Sequence, residues 1–376
     1  MAGIYIHIPF CKQACNYCNF HFSVSLANKS KMVAAIVQEI LQTQSFIATK
    51  NIETIYFGGG TPSILSIPEL EAILNAIKQN FSIAANAEIT LEANPDDINP
   101  TILQQWKVAG INRISVGLQS FDEAELQWMN RAHNAAQSLQ CIDDIQAAGF
   151  KNFSVDLIFG SQLHSSAILQ KNFEIIAQRN VPHISCYALT VEDGTVLKKQ
   201  IKDKKSPAIN TALQSEQFQL LLQLMGNSGY EQYEISSFCK PNFQSKHNSS
   251  YWQGKAYFGF GPSAHSYNGI DKRRWNIANN SLYLQALEKN IIPYEEEILT
   301  PTQQINEYIM TALRTTEGIV LQKVITDFGN AAAENIVTAA RKYLVDDKII
   351  ITYKNVTLTK KGKFFADGIA ADLFEG

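Results

Sequence analysis

Between residues 4 and 189, short apolar runs alternate with amphipathic stretches of helical period. Residues 4–10, 52–57, 88–93, 113–118, 153–159 and 183–189 read as strands, being β-branched or aromatic and bounded by turn residues. Residues 30–47, 66–81, 99–110 and 165–180 read as helices, and 122–149 as mostly helical. The first puts Met32, Ile36, Ile40 and Leu41 on one face, and the second has Ser66 as cap and Pro68 in its first turn. Strand and helix in strict alternation imply a parallel sheet joined by helical crossovers. A local repeat supports this, because Ala109-Gly-Ile-Asn-Arg-Ile-Ser-Val116 resembles Ala148-Gly-Phe-Lys-Asn-Phe-Ser-Val155. In both, a helix-ending glycine feeds a strand. Six strand–helix units are fewer than the eight of a closed barrel. The expected fold is therefore α/β, a partial (β/α)6 barrel with its chemistry at the C-terminal ends of the strands.

Past residue 195 the pattern changes. Lys198-Lys-Gln-Ile-Lys-Asp-Lys-Lys205 reads as a solvated surface loop, and residues 208–225 as a helix. Residues 230–267, rich in Gly, Ser and aromatics, read as irregular strands and loops bordering the barrel. From Thr300 the chain is helical, and residues 348–360 alternate in strand fashion around a Lys354-Asn355 turn. This predicts a smaller, winged-helix-like C-terminal domain and a division at 1–195, 196–298 and 299–376. Winged helices often bind nucleic acid. Here 32 basic against 35 acidic residues give a net charge of −3, so no nucleic-acid partner is expected and the domain reads as structural or docking. The 376 residues contain no apolar run of membrane-spanning length and no secretory leader pattern, which makes a cytoplasmic location the expectation.

Three thiols crowd into Cys11-Lys-Gln-Ala-Cys15-Asn-Tyr-Cys18, straight after the first strand. Thiolates are soft ligands that suit zinc or an iron–sulfur cluster. Zinc would need a fourth ligand, such as His7 or His21. A [4Fe–4S] cluster held by three cysteines keeps one iron open, which suits chemistry on S-adenosylmethionine (SAM). Cys141, Cys186 and Cys239 are isolated and read as small buried hydrophobes.

Tyr5-Ile-His-Ile-Pro-Phe-Cys-x3-Cys-x-Tyr-Cys18 resembles the radical SAM signature, and more narrowly that of the HemN/HemW group. That group comprises oxygen-independent coproporphyrinogen III oxidases and the HemW-type heme chaperones. Later segments match in order: Gly58-Gly-Gly-Thr-Pro62, Leu91-Glu-Ala-Asn-Pro95, Gly117-Leu-Gln-Ser120, Asn130-Arg-Ala-His133 and Val155-Asp-Leu-Ile-Phe-Gly160. The resemblance implies a cluster on Cys11, Cys15 and Cys18, with Gly59, Gly60 and Thr61 meeting the SAM amino group. It implies Arg131 on the SAM carboxylate, and Glu92, Gln119 and Asp156 on the amino and ribose groups. Tyr5, Tyr17 and the backbone at Ala188 match positions beside SAM. Taken singly, each of these polar residues reads as an ordinary solvated or salt-bridged side chain.

Two departures favour the chaperone branch. Phe20 stands where the oxidases carry a further cysteine, and the first strand starts at about Ile4 without their longer N-terminal extension. The loop Gly160-Ser-Gln-Leu-His164 also replaces the usual Gly-Leu-Pro. His247-Asn-Ser-Ser-Tyr-Trp252 resembles the group's heme-linked motif. It implies His247 as an axial ligand, Tyr251 and Trp252 as packing for the porphyrin, and His265 as a weaker candidate ligand. The reading is a heme chaperone that delivers heme to an acceptor protein the sequence does not name. The alternative is a coproporphyrinogen III oxidase-like radical decarboxylase, and a more distant one is a radical SAM enzyme acting on RNA.

Overall fold

A computed structural model describes residues 2–43, 46–47, 49–161, 163 and 165–376. Gln162 and His164 of the departing loop therefore lie outside the described residues. The barrel runs β1 (Ala2–Ile8), α1 (Lys29–Gln42), β2 (Asn51–Gly59), α2 (Ile67–Asn80), β3 (Ser82–Ala93), α3 (Pro100–Ala109) and β4 (Arg113–Gln119). It continues through α4 (Glu123–Trp128), α5 (Ala135–Ala147), β5 (Phe153–Phe159), α6 (Ser166–Gln178) and β6 (His183–Ala188). β1 to β6 pair in chain order, all parallel, and the sheet does not close on itself.

Side-chain alternation explains why these six strands curl around a polar interior. Ile4, Ile6 and Ile8 of β1, with Ile55 and Phe57 of β2, join the apolar core under the helices. The other face of the same strands carries Tyr5 and His7, Thr54 and Tyr56, then Glu88, Thr90 and Glu92, Arg113 and Ser115, Ser154 and Asp156. Local signals end the helices. Ser66 and Glu69 form a capping box at α2, and Gly110, at φ 106°, closes α3 in the left-handed region. Gly149 closes the second copy of the repeat at φ 80°.

The flanks extend the sheet. After α7 (Val196–Lys202) and α8 (Thr211–Asn227), β7 (Glu231–Gln232) and β8 (Ser237–Cys239) add to the β6 edge. α9 (Lys246–Trp252) follows, and β9 (Tyr257–Phe260) pairs parallel with β1. β10 (His265–Tyr267), β11 (Lys272–Asn276), α10 (Asn280–Glu288) and β12 (Tyr294–Ile298) complete that side. The C-terminal module contains α11 (Pro301–Leu313), β13 (Ile319–Val320), α12 (Leu321–Phe328), α13 (Asn330–Ala340), β14 (Ile349–Ile351), β15 (Asn355–Leu358) and α14 (Ala366–Asp372). Its three strands form a separate sheet, β13-β15-β14, around its own apolar core of Ile309, Leu313, Val324, Ile336 and Val356.

Three expectations need correction. α1 ends at Gln42, where Thr43 turns to an extended backbone, so Ile47 is not part of it. The lysine-rich run is not a loop throughout: Thr195 caps α7, which runs to Lys202 with Leu197 buried and the lysines exposed. The His247 stretch is the helix α9, capped by Ser245, and not an aromatic loop.

Candidate functional site

The strands β2 to β6 bring their C-terminal ends, and the loop after β1 its cysteines, to one cavity of about 810 Å³. Its lining includes Cys11, Cys15, Tyr17, Cys18, Gly59, Gly60, Thr61, Glu92, Gln119, Arg131, Asp156 and Ala188. The structure thus brings together residues from every motif of the barrel. Tyr5 and His247 are not among the lining residues.

The cysteine loop is held on two sides. Ser23 N–H donates to the Pro9 carbonyl and Cys11 N–H to the Ser23 carbonyl. Gly60 N–H donates to Ile8 O at 2.9 Å and Thr61 N–H to Phe10 O at 2.7 Å. A Cβ on Gly60 would stand 2.5 Å from the Phe10 carbonyl oxygen, so only glycine lets these segments meet. Gly59, at φ 105°, lies against His7, whose ring a Cβ would meet at 2.7 Å. These glycines therefore have a packing role whether or not a ligand is bound. On the other side, Asn130 Nδ2 donates to Ala14 O at 2.7 Å and Asn16 Nδ2 to Trp128 O at 2.6 Å. Lys12 pairs with Asp96 and Asp97 at the rim.

The chemistry of the donors fits the groups that the motifs imply. Burial pushes the Cys11 thiol up to about 11 and raises Cys18. A bound cation would offset this cost of burial by stabilising the thiolates, with their protons released to solvent. Among the described residues, no three His, Cys, Asp or Glu side chains converge as ligands of a single metal ion. Arg131 Nη1 donates to Cys15 Sγ at 3.2 Å, while Nη2 donates to Asn94 Oδ1 at 2.9 Å and Gly117 O at 2.6 Å. Its Nε is buried without a partner, as is Gln119 Oε1. Gln119 adopts φ 71° where β4 slips register against β5. Orphaned polar atoms beside a cavity are what a polar ligand would satisfy. At its floor, burial lifts Glu92 to about 7 and Asp156 to about 6. Tyr56 OH donates to Glu92 at 2.7 Å.

Tyr5 lies inside the barrel, its hydroxyl 3.2 Å from His7 Nδ1. His247 is also internal, at 1 % exposure. Its Nδ1 is 2.8 Å from Thr54 Oγ1 and its Nε2 is 2.9 Å from Tyr251 OH, and its ring stacks on Tyr56 at 4.9 Å. Burial, and then the nearby Arg113 charge, lower its pKa to about 3. Both ring nitrogens of His247, expected as an axial ligand of heme iron, have protein partners here. Tyr251 turns inward to His247, and Trp252 lies under the Arg314 guanidinium at 5.3 Å. His265, at the start of β10, is exposed and stacks on Trp275.

Sequence reasoning missed part of the wall. Asn94 lies within the Leu91–Pro95 motif, yet its hold on Arg131 has no sequence signal of its own. Arg314, Lys363, Phe364 and Phe365 come from the C-terminal module and close the far side. Ile235 N–H ties that module on by donating to Arg314 O at 2.9 Å, and Lys363 Nζ does so by donating to Gln232 Oε1 at 2.5 Å.

The Radical SAM superfamily pattern matches residues 5–162, and the HemN C-terminal domain matches residues 299–365. A heme chaperone HemW of Bacillus subtilis is 30% identical over 373 residues, covering 98% of this chain and 98% of the relative. One from Synechocystis is 33% identical over 326 residues, covering 84% and 78%. The solved coproporphyrinogen III oxidase HemN of Escherichia coli, a radical SAM enzyme, superposes with a TM-score of 0.86. At 20% identity, over 99% of this chain and 90% of that one, it shows the fold alone. A parallel partial barrel with three cysteines after its first strand defines the radical SAM class. Within that class, the chain belongs to the HemN/HemW group. The class implies a [4Fe–4S] cluster and SAM. Among the described residues, no helix is long and apolar enough to cross a membrane.

Proposed function

We propose that this protein is a heme chaperone of HemW type, which binds one [4Fe–4S] cluster, SAM and heme and passes heme to an acceptor protein. The observation that carries the reading is the match to a protein named heme chaperone HemW over 98% of both chains. Cys11, Cys15 and Cys18 would hold the cluster, which supplies electrons at low potential when bound. Glu92, Gln119 and Asp156 would accept hydrogen bonds from SAM, and Arg131 would donate through the Nε that now lacks a partner. Tyr17, Gly59, Gly60, Thr61 and Ala188 would form the walls around it.

Heme suits the outer part of the cavity. Phe364 and Phe365 offer flat apolar surface there, and Arg314 and Lys363 offer cations to its propionates. Binding through His247 instead would require that ring to leave Thr54 and Tyr251. Phe20, 67% exposed on the cavity lining, keeps the oxidases' additional thiol out of the site. The test is incubation of cluster-loaded protein with coproporphyrinogen III, SAM and a reductant under anaerobic conditions. No protoporphyrinogen IX is expected. Steady turnover would overturn the chaperone reading in favour of the oxidase.

A further inference from the structure

We propose that the outward face of α7 is the surface on which an acidic, low-potential electron-carrier protein docks to reduce the cluster. The proposal rests on the reading of Cys11, Cys15 and Cys18 as the holders of a [4Fe–4S] cluster. A cluster that supplies electrons must be refilled by a reductant from outside, while its cavity side would hold SAM. One electron leaves the carrier, which is oxidised by one, and the cluster is reduced by one. No bond forms or breaks in this step.

α7 is built against the cysteine loop. Leu197 N–H donates to Asn16 O at 2.7 Å. Leu197 joins Met129, Ile158 and Leu189 in a small apolar cluster, with Tyr17 and Ile201 packed against it. Tyr17 stands between two of the thiols in sequence, and its hydroxyl accepts from Arg131 Nη1 at 3.5 Å. The underside of α7 thus rests on the loop that carries the thiols. A carrier on its outer side is one helix away, about 10 Å. The chain then folds back on the helix. Lys204 N–H donates to Ile201 O at 3.0 Å and Lys205 N–H to Gln200 O at 2.8 Å. Lys204 and Lys205 therefore stay beside Lys198, Lys199 and Lys202.

Charge selects the kind of partner. The chain as a whole carries a net charge of −3, yet residues 198–205 set these five exposed lysines against the single Asp203. Lys198 pairs with Asp193. Among the described residues, the other four lysines make no ion pair. Lys12, the cation on the cysteine loop itself, is already held by Asp96 and Asp97. An unpaired cationic face on an acidic protein steers an acidic partner to it. Other polyanions fit less well. The run has no aromatic side chain on which bases could stack. Its apolar residues, Leu197 and Ile201, are turned to the interior and cannot seat the helix in a membrane. The cations proposed for heme, Arg314 and Lys363, come from the C-terminal module on the far wall, so α7 belongs to the cluster side.

An acidic bacterial flavodoxin serves as the probe, with the full, cluster-loaded chain. Calorimetric titration measures binding of the oxidised flavodoxin. Stopped-flow bleaching of the cluster absorption measures reduction by its hydroquinone form, which becomes the semiquinone. A Lys199→Glu, Lys202→Glu double variant should bind and be reduced about tenfold more weakly and slowly at low salt. Salt at about 0.5 M should remove the advantage of the wild type. Iron content should not change, nor should the rate with photoreduced deazariboflavin, a small uncharged reductant. Equal binding and reduction by flavodoxin in both proteins, or equal slowing with deazariboflavin, would overturn the proposal. So would capture of RNA or anionic vesicles by the lysine face while flavodoxin is indifferent to it. A chain that binds no iron would instead defeat the cluster reading on which the proposal stands.

Discussion

At the scale of single residues, the three thiols and the two floor carboxylates carry different expectations. Replacing Cys11, Cys15 or Cys18 by Ala should remove the iron–sulfur absorption of reconstituted protein, measured with iron and sulfide content. Asp156→Asn should leave iron content intact and weaken SAM binding by about tenfold in a titration, since the carboxylate lines the cavity and not the thiol loop. His247 makes a stability prediction with a definite pH dependence. Its folded pKa, about 3, lies below the ordinary histidine value of 6.5. The unfolded chain therefore takes up the proton first, and the stabilisation is complete above pH 6.5 and lost as pH falls toward 3. His247→Gln should cost roughly 2 kcal/mol at pH 7.5 in urea melts, through the hydrogen bonds it loses. The gap to the wild type should then shrink by about 1.4 kcal/mol per pH unit below 6.5, vanish at about pH 5 and reverse sign below it. A gap independent of pH would mean that the ring is not buried neutral.

At the scale of elements, the loop between β1 and α1 depends on the end of β2 as much as on its own cysteines. Gly60→Ala touches no thiol. Yet its new Cβ would stand 2.5 Å from the Phe10 carbonyl oxygen and displace the loop. It should therefore lower iron loading several-fold while α-helical circular dichroism stays unchanged. Normal loading would mean that the loop tolerates the shift. Most elements were legible from the chain because their signals are local. The Ser66–Glu69 capping box and the glycines at 110 and 149 mark helix ends within a few residues. α7 was misread because lysine density suggests a loop, whereas the decisive features were Thr195 as cap and Leu197 as buried anchor. α9 was misread because an aromatic, serine-rich stretch has no helical period.

At the scale of the whole molecule, the floor and the cysteine rim of the cavity were legible, but its far wall was not. The motif residues lie at strand ends, where the barrel rule puts chemistry. Arg314 and the 363–368 segment reach the site only because the C-terminal module docks on β7 and β8, a long-range arrangement with no local pattern. The position of His247 was hidden for the same reason, since its partners Thr54 and Tyr56 are nearly two hundred residues away in sequence. The central claim of the proposed function is that the cavity holds heme. Anaerobic titration of cluster-loaded protein with hemin, followed by the Soret band, tests that most directly. It predicts saturation at about one heme per chain, with binding weakened about tenfold in an Arg314→Ala, Lys363→Ala double variant that has lost both cations. Failure to saturate near one, or binding indifferent to both cations, would contradict it.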